Sequence, residues 1–360
     1  MTGDHISRKV SLRAHAGSSG RPIRRPRAPG AAAPSATIRR MAVGEFDLIA
    51  KYFSRPVHHA VLGGGDDCAL LQPTPGMQWA VSTDALVEGR HFLSTVAPDA
   101  LGHKALAVNL SDLAACGARP VAFTLSLTLP RVDETFLAGF AEGLYALAEV
   151  HGIELVGGDT TAGPLTIGIT VMGEVPPGQA LRRSGARPGD ELWVSGCLGD
   201  ARLALEAFRG TIALRGEAFS DVRRAMERPQ PRVALGQALR GIASAAIDLS
   251  DGLSGDLGHV LRASVCGATI RVDDIPHGPH VAACSPAQRH LCLLSGGDDY
   301  ELLFAAPAAA HAQVREAGAR AGTPVTRIGT LEAAPGLRVV DAAGAAVALA
   351  ERAFDHFLVA

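Results

Sequence analysis

Between Val121 and Leu129 the chain alternates without a break. Val121, Phe123, Leu125, Leu127 and Leu129 are apolar, and Ala122, Thr124, Ser126 and Thr128 between them are small or hydroxylic. A period of two residues puts successive side chains on opposite faces, so this segment predicts a strand with one face in a core. Leu165, Ile167, Ile169 and Val171 repeat the pattern. Other segments read as helices: residues 44–53, with Phe46, Leu48, Ile49 and Phe53 as their apolar positions; a run from Asp99 as cap to Ala115, closed by Gly117 and Pro120; and 134–150. Short strands are expected at 79–82 and 153–156, each delivering an aspartate at its end. Pro176-Pro177-Gly178 marks a boundary. Beyond it, strands are predicted at 191–194, 246–249, 299–304, 325–328 and 337–340. Helices are predicted near 200–208, 217–227, 231–243, 253–264 and 308–319. The expected fold class is α/β (α+β), with one domain over 41–176 and a second over 177–360.

Residues 1–40 are different material, with nine basic residues, a single acid (Asp4) and much Gly, Pro, Ser and Ala. Such a segment cannot bury a core, so it is expected to be a disordered, dispensable extension, with folding beginning near Met41. For the rest, 47% hydrophobic content in 360 residues is enough for two packed domains. A net charge of −2 and 4% aromatics argue against a nucleic-acid surface. No apolar run is long enough to span a membrane. The six cysteines include no C-x-x-C pair, which reads as reduced thiols of a cytoplasmic protein.

The chemistry lies in the turns. Aspartates recur among Gly, Ser, Thr and Asn: Gly65-Asp66-Asp67, Ser82-Thr83-Asp84, Asn109-Leu110-Ser111-Asp112, Gly157-Gly158-Asp159 and Asp248-Leu249-Ser250-Asp251-Gly252. Carboxylates are the preferred protein ligands of Mg²⁺, and small residues let backbone N–H groups approach phosphate. Asp66-Asp67 is either a surface turn or a carboxylate pair meant for cations. Two such charges about 4 Å apart repel by roughly 4 kcal/mol at an effective dielectric of about 20, which a bound ion would relieve. Ser82-Thr83-Asp84 closes a strand, where hydroxyl and carboxylate oxygens either converge on one ion or simply cap a helix or turn. Asp112 sits on a largely uncharged helix face, which favours a buried ligand over a solvated acid. Asp248 and Asp251 flank Ser250 at the mouth of a helix, where N–H groups attract phosphate, although Asp-Gly is also a common plain turn.

Competing signatures are absent. There is no G-x-x-x-x-G-K-[ST] loop, no protein-kinase catalytic loop, no G-x-S-x-G and no histidine pair at metal-binding spacing. Arg182-Arg183 reads either as surface charge or as a phosphate clamp. The residues alone stop at Mg-dependent phosphoryl transfer.

Taken together with Gly44-Glu45-Phe46, His91-Phe92, Arg183-Ser184-Gly185 and Ser295-Gly296-Gly297-Asp298-Asp299-Tyr300-Glu301, these motifs run collinearly from about residue 41 to Phe357. In that order they resemble the thiamine-monophosphate kinases of the aminoimidazole ribonucleotide synthetase-like superfamily. The resemblance implies an N-terminal domain that dimerises through its sheet and a C-terminal domain that completes the cleft. It implies ATP as co-substrate, thiamine phosphate as acceptor, and several Mg²⁺ ions. By position, Asp67, Ser82, Thr83, Asp84, Asp112, Asp159, Asp248 and Asp251 would be metal ligands, with Asp84, Asp112 and Asp251 central to catalysis. Gly158, Asp159, Arg183 and Ser250 would contact ATP; His91, Asp298 and Phe354 would contact the acceptor. Relatives often carry Glu at 298 and a polar-edged aromatic at 354. Selenophosphate synthetase-like or aminoimidazole ribonucleotide synthetase-like chemistry is the alternative within the superfamily. Outside it stands a non-catalytic nucleotide- or metal-sensing module, which would not need an acceptor pocket.

Overall fold

A computed structural model describes residues 44–348 of the chain. The expected N-terminal extension and Phe354 lie outside the described residues. The polypeptide enters through a short helix, α1 (Glu45–Leu48), continued by one π-helical turn over Ile49–Phe53; Leu48 and Phe53 are buried. A small hairpin of β1 (Ala60–Leu62) and β2 (Leu70–Leu71) carries the Gly65-Asp66-Asp67 turn between its strands.

Four strands then make the first sheet: β3 (Gln78–Val87), β4 (Arg119–Leu129), β5 (Glu154–Ala162) and β6 (Thr166–Val175), in the order β3-β6-β4-β5. β4 and β5 run parallel, and the other pairs are antiparallel. The alternation in β4 is realised, with Phe123, Leu125, Leu127 and Leu129 buried on the inner face. Helix α2 (Pro98–Ala115) lies on that face, and α3 (Glu134–His151) packs along α2. The two helices cross almost backbone to backbone. A Cβ on Gly143 would stand 1.8 Å from Asp99 O, and one on Gly102 would stand 2.0 Å from Phe140 O. Asp133 caps α3 by accepting the N–H groups of Thr135 and Phe136.

Three expectations are corrected here. Asp99 does not cap α2. Ala97 holds that position, Pro98 with its preset φ opens the helix, and Asp99 pairs with Arg228. β3 does not stop at Ser82, because its ladder with β6 continues to Val87. β5 likewise runs through Gly157-Gly158-Asp159 to Ala162. There, a register shift at Phe123/Thr124 and Gly158 at φ +151° let the backbones touch: a Cβ on Gly158 would fall 1.9 Å from Leu125 O.

The second half supplies β7 (Glu191–Ser195), α4 (Asp200–Phe208), α5 (Gly216–Glu227), α6 (Val233–Ala238), β8 (Ala245–Asp248), α7 (Leu253–Ser264), β9 (Gly267–Arg271), α8 (Pro279–Ala282), α9 (Pro286–Ser295), β10 (Leu302–Ala306), α10 (His311–Arg320), β11 (Val325–Glu332) and β12 (Gly336–Val340). Its six strands are ordered β12-β9-β11-β7-β10-β8, with only β12 and β9 parallel. The helix expected over 231–243 shrinks to α6, and β9, α8 and α9 were not anticipated from the pattern.

One hydrophobic cluster joins the halves, running from Leu48 through α2 to Trp193 and Phe304. Fourteen of the 18 residues of α2 are buried, so the helix is enclosed around its whole circumference. It touches β3 and β6 on one side and α6 and β8 on the other; a Cβ on Gly236 would lie 2.0 Å from Ala114 O. Among the described residues, no helix is long and apolar enough to cross a membrane.

Candidate active site

The period of β3 decides what faces α2. Ser82 and Asp84 turn inward with Leu86, while Val81, Thr83 and Ala85 turn outward. Ser82 Oγ donates to Asp112 Oδ2 at 2.5 Å. The Asp84 N–H donates to Asn109 Oδ1 at 3.0 Å, and Asn109 Nδ2 donates to Ala105 O, which fixes the amide's orientation. Asn109 and Asp112 are three residues apart and share one helix face. On the adjoining face, Ser111 Oγ donates to Asp248 Oδ2 at 2.7 Å. Consecutive residues of α2 thus bind carboxyl or hydroxyl groups from both halves.

Asp248 ends β8, and the following turn is laced to the segment before β10. The Asp298 N–H donates to Ser250 O (2.9 Å), the Tyr300 N–H to Leu249 O (2.8 Å) and the Leu249 N–H to Glu301 O (2.9 Å). Glycines make this approach possible: a Cβ on Gly297 would stand 2.5 Å from Ser250 O. At the mouth of α7, Asp256 Oδ2 accepts from the N–H groups of both Asp251 and Gly252. The helix-terminal donors expected to meet phosphate are therefore partly taken by an acid that sequence reading passed over.

These carboxyl groups feel one another. Burial, then Asp112 and Asp251, pushes Asp84 up to about 6. Burial raises Asp112 too, against the Ser82 hydroxyl and the Arg183 guanidinium, which favour its charged form. Burial and Asp112 hold Asp248 well above the usual carboxylate range. Burial and Asp251 push Asp256 up to about 7. A group of desolvated, mutually repelling carboxyls is poised to take cations.

Alongside them lies a cleft of about 500 Å³, with Ser82, Asp112, Arg182, Arg183, Ser184 and Asp248 in its walls. That volume falls in the range of small-molecule sites.

A few residues away, His91 Nδ1 accepts the Val87 N–H at 2.9 Å. Lys104 Nζ reaches both His91 O and Asp298 Oδ2, each at 3.1 Å. Tyr300 OH donates to Asp298 Oδ1 at 3.2 Å. The sequence showed no lysine beside the acidic turns; Lys104 arrives across 194 residues of chain.

The remaining sequence-predicted residues are placed apart from this group. The Thr83 hydroxyl points to the outer face of the sheet and donates to Ile169 O, so it does not converge with Ser82. Asp159 is exposed on that same outer face, opposite Ser126. Asp67 lies in an exposed turn whose Gly64 rests near Val156 and Gly157. Among the described residues, no three His, Cys, Asp or Glu side chains are arranged to hold an ion by themselves. Mg²⁺ needs no such cage, since it takes one or two carboxylates and completes its shell with water and phosphate. The donors present are hard oxygens from Asp84, Asp112, Asp248 and Ser82, which fit that ion.

The family model for AIR synthase related protein, N-terminal domain, matches residues 65–175, and that for the C-terminal domain matches 187–342. A thiamine-monophosphate kinase of Salmonella typhimurium is 46% identical over 325 residues, covering 88% of this chain and 99% of its own. The chain belongs to the thiamine-monophosphate kinase family. Solved members agree. The crystal structure of the Stenotrophomonas maltophilia enzyme superposes with a TM-score of 0.74 at 43% identity, over 78% of this chain and 91% of that one. AaThiL complexed with AMPPCP and TMP superposes with a TM-score of 0.69 at 29% identity, over 79% and 89%.

Proposed function

We propose that this chain transfers the γ-phosphoryl group of ATP to thiamine phosphate, giving ADP and thiamine diphosphate. The observation that supports this reading is that Ser82 and Asp112 from the first half and Asp248 from the second meet in the walls of one cleft, with Ser111 bonded to Asp248 and the Asp84 carboxyl close enough to Asp112 to be pushed up by it. Phosphoryl transfer asks mainly for alignment and neutralisation of charge. Bound Mg²⁺ would supply that neutralisation between two phosphorylated molecules. Asp84, Asp112, Asp248 and Asp251 would hold it, and Arg183, in the wall of the same cleft and near Asp112, would neutralise the migrating group. The acceptor is already an ionised phosphate, so no side chain is needed as base. Transfer is then direct and in line, without a phosphorylated protein. On this reading residues 41–176 and 177–360 would be the two domains of the site, with the backbone at Gly158 and Ser250 contacting ATP and His91 and Asp298 contacting the acceptor; Phe354, the third acceptor residue expected from the sequence, lies outside the described residues.

Incubation with Mg-ATP and thiamine phosphate tests the reading, with thiamine and an aminoimidazole ribonucleotide precursor as parallel substrates. Thiamine diphosphate and ADP in equal amounts, with no label retained on protein from [γ-³²P]ATP, are expected. Turnover of either parallel substrate alone would overturn it.

We further infer a homodimer through the outer face of the first sheet. That face presents Thr83, Thr124, Ser126, Thr128 and Thr170 around Val81, which is 62% exposed. Small hydroxylic side chains let a second sheet approach closely. Sedimentation should give a dimer, and Val81→Asp should give a monomer. A wild-type monomer at micromolar concentration rejects the interface.

A further inference from the structure

Among the described residues, Lys104 is the one buried lysine. It is 2% exposed in the middle of α2, where the buried residues are mostly apolar, with His103, Asn109 and Ser111 the other polar side chains. Lysine is almost never buried unless paired, because its ammonium gives up its hydration. Here the pairing spans the molecule: one bond to His91 O in the first half and one to Asp298 Oδ2 in the second. Eight residues separate Lys104 from Asp112, which is about 12 Å along a helix. Lys104 therefore stands well away from Asp112, at the Asp84 end of the group of carboxyls, where Asn109 ties Asp84 to Ala105 O; its two partners, His91 and Asp298, are the residues assigned above to the acceptor.

Asp298 is not simply the counter-ion of a structural pair. Its side chain keeps 34% exposure, while that of Lys104 keeps 2%. Its backbone lies at φ +68° and that of Tyr300 at +50°, left-handed positions that the surroundings have to enforce. Tyr300, itself buried, fixes the other carboxyl oxygen. A carboxylate offers about four acceptor positions. Two are thus occupied and aimed, and the exposed edge is left for a donor such as an amino group on a flat heteroaromatic ring.

We propose that Lys104 is a positioning residue for the phosphoryl acceptor. It holds Asp298 and the His91 segment in one geometry and so sets affinity for thiamine phosphate, not for ATP. The inference rests on the kinase reading above.

Steady-state kinetics with each substrate varied in turn test it. Lys104→Met should raise KM for thiamine phosphate about 10- to 100-fold, the loss expected for a charge-assisted hydrogen bond, and leave KM for ATP within about twofold. Tyr300→Phe keeps the buried shape and should raise the same KM several-fold, so it decides the matter if Lys104→Met fails to fold. In an Asp298→Asn background, Lys104→Met should add less than about twofold. Equal changes in both KM values, or an unchanged acceptor KM in Tyr300→Phe and in folded Lys104→Met, overturn the proposal while leaving the kinase reading standing. A wild-type protein that makes no thiamine diphosphate removes both.

Discussion

Replacing Asp112 with asparagine is expected to lower kcat by on the order of a thousandfold, the rate equivalent of the several kcal/mol that a metal ion held there would supply. The amide keeps the size of the side chain, and its oxygen still accepts from Ser82 Oγ, now at 2.5 Å from the carboxyl. Folding is therefore preserved, and relief of repulsion toward Asp84 and Asp248 raises stability if anything. Asp84→Asn should behave alike, because it is the Asp84 main-chain N–H that donates to Asn109 Oδ1, a bond its carboxyl takes no part in. The check pairs a thermal melt with turnover across a Mg²⁺ titration. Either variant showing wild-type rates at limiting Mg²⁺ removes these residues from the metal site.

The same carboxyls make the metal-free protein sensitive to base. Asp84 in the folded state titrates at about 6 and Asp256 at about 7, against 3.8 for the ordinary group. Folded-state values above the unfolded one mean the native protein retains protons that the unfolded chain has released. Their contribution to stability is complete below pH 3.8 and disappears as pH rises through 6 and 7. Shifts of two to three units correspond to roughly 3–4 kcal/mol per group before coupling between them is counted. Glu174, held low by Thr74 and Arg119 in spite of burial, works in the opposite direction and fails as pH drops below its ordinary 4.5. In EDTA, Tm should therefore peak near pH 5 and fall by pH 8, and saturating MgCl₂ with ADP should restore it. Asp84→Asn should flatten the fall. A level wild-type profile from pH 5 to 8 would falsify the electrostatic account.

Much of this site is visible in the residues. Asp84, Asp112, Asp248 and Asp251 stand out because acids beside Ser, Asn and Gly interrupt apolar segments, and a core excludes unpaired charge. The alternation that defines β4 also fixed which of its faces is buried. Strand ends were less legible. Glycines and hydroxyls look like turn residues, yet β3 and β5 continue through them because neighbouring strands offer a full ladder. That misreading also hid the fact that Thr83 and Ser82 point to opposite faces. What sequence withheld altogether depends on partners distant in the chain. Nothing near Lys104 names Asp298, and Asp256 reads as an ordinary first-turn acid of α7 until its oxygen is seen on the N–H groups of Asp251 and Gly252.

Helix α2 also limits how the protein moves. Swinging the two sheets apart like a clamshell would strip Leu106, Leu110 and Leu113 of their packing, at about 25 cal/mol for every Å² wetted. A buried helix shared by both sheets thus acts as an axle that resists their separation, and Asp112 and Ser111, which it carries, keep their spacing to Ser82 and Asp248.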